Sequence, residues 1–207
     1  MKNINRMKFS ITTMLAALLL FSSSFAQKDA ESLLKNLQQK FNSTSDISAA
    51  FVQSLNGKVN LKGKFYYMKE DNFKLELKGL EIISNGKTSW SYNKRENKVI
   101  ISNYDASDPS ILSLNKFVDE YPGQCNLKLE DENGKSMLVL VPKKPGLNFK
   151  SVKIETGPGG LIEKMYIEDL SGLEIQIEFS NYQLNKKLSS SFFTFTPPKG
   201  SKVIDLR

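Results

Sequence analysis

The hydrophobic positions of this chain follow first a helical period and then, for most of its length, a period of two. Over 28–42, Leu33, Leu34, Leu37 and Phe41 recur at spacings that put them on one face of a helix. Asp29 and Glu31 stand at its start, where the helix dipole favours anions. From about residue 47 the alternation changes. Phe51, Gln53 and Leu55 share one side of a strand; Val59, Leu61, Gly63, Phe65 and Tyr67 share a side of the next; Phe73, Leu75 and Leu77 share a side of a third. Asn85-Gly86 predicts a two-residue hairpin turn, since both residue types tolerate positive φ. Thr88, Trp90 and Tyr92 alternate beyond it, and another strand passes through Val99, Ile100 and Ile101. Asp108-Pro109, an N-cap residue followed by proline, predicts a second helix through Ile111, Leu112 and Leu114 toward Phe117.

Further turns are predicted at Asn133-Gly134, at Gly157-Pro158-Gly159-Gly160 and from Asp169 to Gly172. They separate strands carrying Leu127 and Leu129, then Met137, Val139 and Val141, then Val152 and Ile154, then Met165 and Ile167, then Leu173, Ile175, Ile177 and Phe179. Strands joined by short turns make an antiparallel meander. A sheet of nine to eleven strands curls into a barrel or part of one, because twisted open sheets of that size rarely stay flat. Its interior either fills with side chains or holds an apolar ligand, and periodicity leaves both outcomes open.

The N-terminus has the layout of an export signal. Lys2, Arg6 and Lys8 form a basic stretch, Phe9 to Phe21 an apolar one, and Ser24-Phe25-Ala26 offers small residues for cleavage before Gln27. The apolar stretch is shorter than the roughly 20 residues of a permanent membrane span. The expected organisation is therefore a signal peptide over 1–26 and one domain over 27–207, exported to the periplasm with no lipidated cysteine at its new N-terminus. Removing the signal lowers the formal net charge from +7 to +4. The remaining lysines alternate with apolar residues instead of clustering, which argues against a nucleic-acid groove.

The sequence contains no histidine, so the usual zinc sites, Ser-His-Asp triads and Cys-His pairs are excluded. No enzyme activity and no cofactor are expected. Cys125 is the only cysteine and lies in an apolar alternation with Leu127 and Leu129, the setting of a small buried residue. Gly86-Lys87-Thr88 echoes the end of a Walker A loop, but Glu81 stands where that loop needs glycine and the segment reads strand, turn, strand. Glu76 with Glu81, and Glu174 with Glu178, fit a solvated strand face better than an acid/base pair.

Several stretches, in order, resemble the bacterial outer-membrane lipoprotein carrier family, LolA. They are Ala50-Phe51-Val52-Gln53, the glycine-led Gly63-Lys64-Phe65-Tyr66-Tyr67 with Asn72-Phe73, the hairpin from Ile82 to Asn93, and the ending Phe193-Thr194-Phe195-Thr196-Pro197-Pro198-Lys199-Gly200 with Val203-Ile204-Asp205. The resemblance implies a mainly β (α+β) fold, an incomplete antiparallel barrel closed by an N-terminal helix and a short inserted helical segment. It implies a cavity for the acyl chains of lipoproteins, an inner-membrane ATP-driven transporter that hands the lipoprotein over and an outer-membrane acceptor that takes it onward. A monomer is the natural expectation for such a carrier. The runner-up reading is a lipid- or lipoprotein-sensing regulatory module on the same half-barrel.

On this resemblance Phe73 and Leu75 fall where the family has aromatic residues facing its cavity. The expected lining adds Phe51, Leu61, Phe65 and Tyr67 before them and Leu77 and Trp90 after. From the second half of the sheet it adds Met137, Val139, Ile154, Met165, Ile175 and Ile177. The expected lid comprises Leu33, Leu37, Phe41, Leu112 and Leu114. Where the family has an arginine and a proline before its third strand, this chain has Lys69 and Glu70. Lys69 is thus the expected latch, with a point charge in place of a planar fork of donors. Leu75 replaces an aromatic residue and leaves less bulk in the cavity.

Overall fold

The structure, a computed structural model, describes residues 29–105, 113–132 and 134–207. The expected signal segment (1–26), Asp108, Pro109, Ile111, Leu112 and Asn133 lie outside the described residues. Helix α1 spans 29–43 and buries Ala30, Leu34, Leu37 and Phe41, a four-three-four spacing that makes one stripe. Ser43 and Thr44 end it, each hydroxyl donating back to the Lys40 carbonyl.

One sheet follows: β1 (Asp46–Leu55), β2 (Lys58–Met68), β3 (Asn72–Leu77), β4 (Leu80–Asn85), β5 (Thr88–Asn93), β6 (Lys98–Asn103), β7 (Cys125–Glu132), β8 (Lys135–Pro142), β9 (Phe149–Thr156), β10 (Ile162–Asp169), β11 (Glu174–Leu184) and β12 (Lys202–Asp205). Their order is β12-β6-β5-β4-β3-β2-β1-β11-β10-β9-β8-β7, so β1 joins two meanders and the ends of the sheet do not pair. The twelfth strand is parallel to β6 and exceeds the nine to eleven expected. Asn97 secures the approach to it, donating to the Gly200 carbonyl and accepting from the Ser201 hydroxyl. Between β6 and β7 the described helical residues form a π-type turn (Lys116–Glu120) and α2 (Tyr121–Gln124).

Curling demands close approaches that only glycine permits. A Cβ on Gly63 would sit 1.9 Å from the Glu76 carbonyl oxygen of β3, inside any tolerable contact. The β4–β5 turn also differs in detail from expectation: Asn85 ends the strand, Gly86 alone takes positive φ (77°), and the Asn85 side chain accepts from the Lys87 and Thr88 amides. That places glycine where a type II′ turn needs it.

One apolar cluster lies between the helices and the concave face of the sheet. It joins Leu34, Leu37 and Phe41 of α1 and Leu114 and Val118 of the helical crossing to Phe65, Phe73, Leu138, Ile154, Met165 and Phe179. A second, separate group, Ile83, Val99, Ile101 and Phe193, is equally buried outside that cluster. It lies on the outer face of β4–β6, covered by the segment that returns after β11. There Phe192 meets Tyr66 edge-on at 4.9 Å, Lys74 stands 5.0 Å over the Phe192 ring, and Phe195 lies 5.3 Å from Tyr92.

Candidate functional site

Cross-strand register decides which side chains share the concave face, because paired residues point to the same side. Phe51 pairs with Gly63 and Phe179, Phe65 with Leu75, Tyr67 with Phe73, and Gly63 with Leu77. Leu61 and Ile177 both pair with Gln53. Ile177 continues to Met165 and on to Ile154, and Ile175 pairs with Leu55. Phe51, Leu61, Phe65, Tyr67, Phe73, Leu75, Leu77, Ile154, Met165, Ile175 and Ile177 therefore occupy the face that the helices cover.

Trp90, Met137 and Val139 do not. Trp90 pairs with Ile83, and Ile83 with Lys74, whose neighbour across β3 is Tyr66 on the outer side. The expectation that Trp90 lines the cavity is corrected: it belongs to the outer core under the C-terminal segment. Met137 pairs with Glu130 and Glu155, and Val139 with Lys128 and Lys153. They too face outward, buried beneath the aliphatic stems of ion pairs such as Lys153–Glu130 at 2.7 Å. Their places on the concave face are taken by Leu138 and Leu140, both fully buried. The run Met137 to Val141 is apolar throughout, so alternation alone could not choose its inner side. A signal existed: a two-residue turn at 133–134 pairs Leu129 with Leu138 and Leu127 with Leu140.

Leu37 and Phe41 of the expected lid are buried in the main cluster, Leu33 packs at its margin, and Leu114 joins from the helical crossing. The Phe41 and Tyr67 rings are 5.1 Å apart, one on the helix and one on β2. Apolar contact thus closes the half-barrel, and polar bonds add to it. Lys69 donates to the Asn42 carbonyl at 2.6 Å, Asn42 donates to Asp119 at 3.1 Å, and Gln38 donates to the Val118 carbonyl at 3.0 Å. The Lys69 ammonium sits at the C-terminal end of α1, where orphan carbonyls and the helix dipole favour a cation. Asn42, Tyr67, Lys69, Asp71 and Asn115 together line a small pocket at this rim.

The rim is electrostatically tense. Burial raises the Asp71 carboxyl above its ordinary value, the Glu120 carboxylate adds to the effect, and Lys116 opposes both. Burial and the Asp71 charge push Tyr104 up to about 12. Cys125 is buried, and burial raises its thiol, as befits a packing residue.

A groove of about 550 Å³ runs over the outer face of β8–β11, with Met137, Tyr166, Lys164 and Glu174 among its walls. Lysines and glutamates pair along this face, Lys135 with Glu155 and Lys150 with Glu168. The concave face is the candidate site.

A family model described as outer membrane lipoprotein carrier protein LolA matches residues 42–196, from the end of α1 through the segment that covers the outer core. The chain belongs to the LolA family. The outer-membrane lipoprotein carrier protein of Francisella tularensis subsp. novicida is 28% identical over 196 residues, covering 89% of this chain and 92% of that protein. That of Neisseria meningitidis serogroup C is 29% identical over 194 residues, covering 88% and 90%. An uncharacterized conserved protein from Thermus thermophilus has a TM-score of 0.57 at 14% identity, covering 86% of this chain and 99% of its own, a likeness of fold. LolA family proteins are binding proteins and not enzymes, which accords with a sequence that lacks histidine.

Proposed function

We propose that this protein is a periplasmic carrier that receives the acyl chains of lipoproteins on its concave face and moves them from the inner to the outer membrane. The observation that carries this reading is the pairing of an apolar concave face, built by β1–β3 and β8–β11, with a helix that packs its own apolar stripe against it. In the empty protein Leu34, Leu37 and Phe41 cover that face, each large side chain contributing about 1.5–3 kcal/mol by its burial. An incoming acyl chain brings about 0.8 kcal/mol per buried methylene. Because cargo and helix hide the same surface, one replaces the other with a small net change, and a ligand that prefers the open state shifts the population toward it. Loading and release then need no nucleotide hydrolysis by the carrier.

The names of the relatives support the cargo class. The flow of cargo calls for an inner-membrane ATP-driven transporter as donor and an outer-membrane acceptor as receiver. The N-terminal 26 residues serve as a cleaved export signal, and the mature chain begins near Gln27 and works as a monomer. A photo-crosslinking amino acid in place of Phe73 tests the reading in cells that make the full chain. Capture of acylated lipoprotein well above a control at exposed Lys62 is the expected result; capture no greater than the control would overturn it.

A further inference from the structure

The concave face changes chemistry from one wall to the other. One register row runs from Ile47 through Tyr67 and Phe73 to Ser84, Ser89 and Ser102. The next runs from Ala49 through Phe65, Leu75 and Ile82 to Ser91 and Ile100. Strands β1–β3 and β8–β11 thus present large apolar side chains inward, whereas β4–β6 set the hydroxyls of Ser84, Ser89, Ser91 and Ser102 among the inward Leu80, Ile82 and Ile100. Ile83, Val99 and Ile101 of the same strands are turned outward into the second core.

These hydroxyls have capacity to spare. Ser84 is fully buried and accepts from the Gly86 amide, which leaves its own proton to donate. Ser89 and Ser102 are half-buried and bonded to each other at 2.8 Å, so one proton of the pair stays available. Independent evidence lies just past the end of β6, two residues beyond Ser102. The Tyr104 ring is 6.3 Å from Phe73, and its hydroxyl faces that of Ser113, which is 6% exposed. Both oxygens are buried and meet each other, with no further hydrogen-bond partner among the described residues. Two hydroxyls that meet only each other keep one proton without an acceptor, and a buried donor left so is costly, which suits a ligand that supplies an acceptor.

We infer that this hydroxylated row, Ser84, Ser89 and Ser102 with Tyr104 and Ser113 at its end, receives the ester-linked glyceryl group of a diacylated lipid while the acyl chains lie on the apolar wall. The inference rests on the carrier reading and adds a second recognition element to the same face. An ester carbonyl accepts hydrogen bonds and donates none, so it requires donors. Neutral hydroxyls supply them on a largely apolar face without the desolvation cost of a charged group. The two walls adjoin: Phe73 and Ser84 are directly paired on neighbouring strands, about 4.8 Å apart, which suits the junction of a glyceryl group with its chains.

The test compares two detergent-solubilised probes on the purified mature protein, dipalmitoyl phosphatidylglycerol and its dihexadecyl ether analogue, which lacks the carbonyls. The expected result is five- to tenfold tighter binding of the diester, the equivalent of one or two neutral hydrogen bonds. In Ser89→Ala/Ser102→Ala that ratio falls toward one. Because the ratio is measured within one protein, a variant that is merely destabilised loses affinity for both probes alike and keeps it. Equal binding of both probes by the natural protein, or a ratio unchanged in the double variant, would overturn the subsite and leave the carrier reading standing. Failure of the natural protein to bind either probe would overturn both.

Discussion

Lys69 reaches across from the end of β2 to the backbone carbonyl of Asn42, 2.6 Å away in the last turn of α1. This charged hydrogen bond ties the β2–β3 turn to the helix that covers the concave face, and Lys69 itself is exposed. An exposed cation at a helix C-terminus contributes about 0.3–1 kcal/mol, too little to matter for global stability. The same energy is a two- to fivefold change in how often α1 lifts. Lys69→Met, which keeps the aliphatic stem, is therefore expected to raise hydrogen exchange of the α1 amides by about that factor. Amides of β10 should not change. Equal exchange of α1 in both proteins would show that apolar packing alone holds the helix.

The outer core makes a separate prediction. Phe193 is fully buried and fills the space over β3 and β4, on the side away from the helices. Phe193→Ala should cost about 3–5 kcal/mol, the usual toll for deleting a buried aromatic side chain, read as a shift in urea midpoint. Trp90, the only tryptophan, reports on this core, so its emission should shift to the red in the variant. Acyl-lipid affinity per folded molecule should stay within about twofold, since the two cores share no buried residue. A large loss of affinity with the fold intact would mean that the faces are coupled.

Much of this architecture was legible in the residues. Two-residue periodicity located the strands, and the stripe of Leu33, Leu34, Leu37 and Phe41 located α1. The faces were harder, and the reason is specific. Alternation says which residues of one strand share a side but not which side is inward. Trp90 has the profile of a lining residue, and only counting through the β3–β4 and β4–β5 turns to its pairing with Ile83 places it outside. From β4 to β6 the sheet carries a second apolar side because the C-terminal segment supplies Phe192, Phe193 and Phe195 as an outer cover. That contact spans about a hundred residues and leaves no local trace. Strand β12 is hidden for the same reason, since four residues with Val203 and Leu206 exposed show no amphipathic pattern.

Asp71 links the rim to pH. Its folded carboxyl titrates above the ordinary value of 3.8, chiefly through burial and secondly through Glu120 on the helical crossing. For an acid raised in this way the folded protein holds a proton that the unfolded chain has released. Stability contributed by that proton is complete at low pH and is lost as pH rises from 3.8 through the folded value. Asp71→Asn is neutral at every pH and removes the repulsion with Glu120. Melting temperatures of the two proteins should therefore lie close together in acid, and the natural protein should fall behind the variant as pH rises toward neutrality. The site is partly open to solvent, so screening keeps the difference modest and larger at low salt than at high. A gap between the two proteins that is constant from acid to neutral pH would show that Asp71 acts through packing and not through its charge.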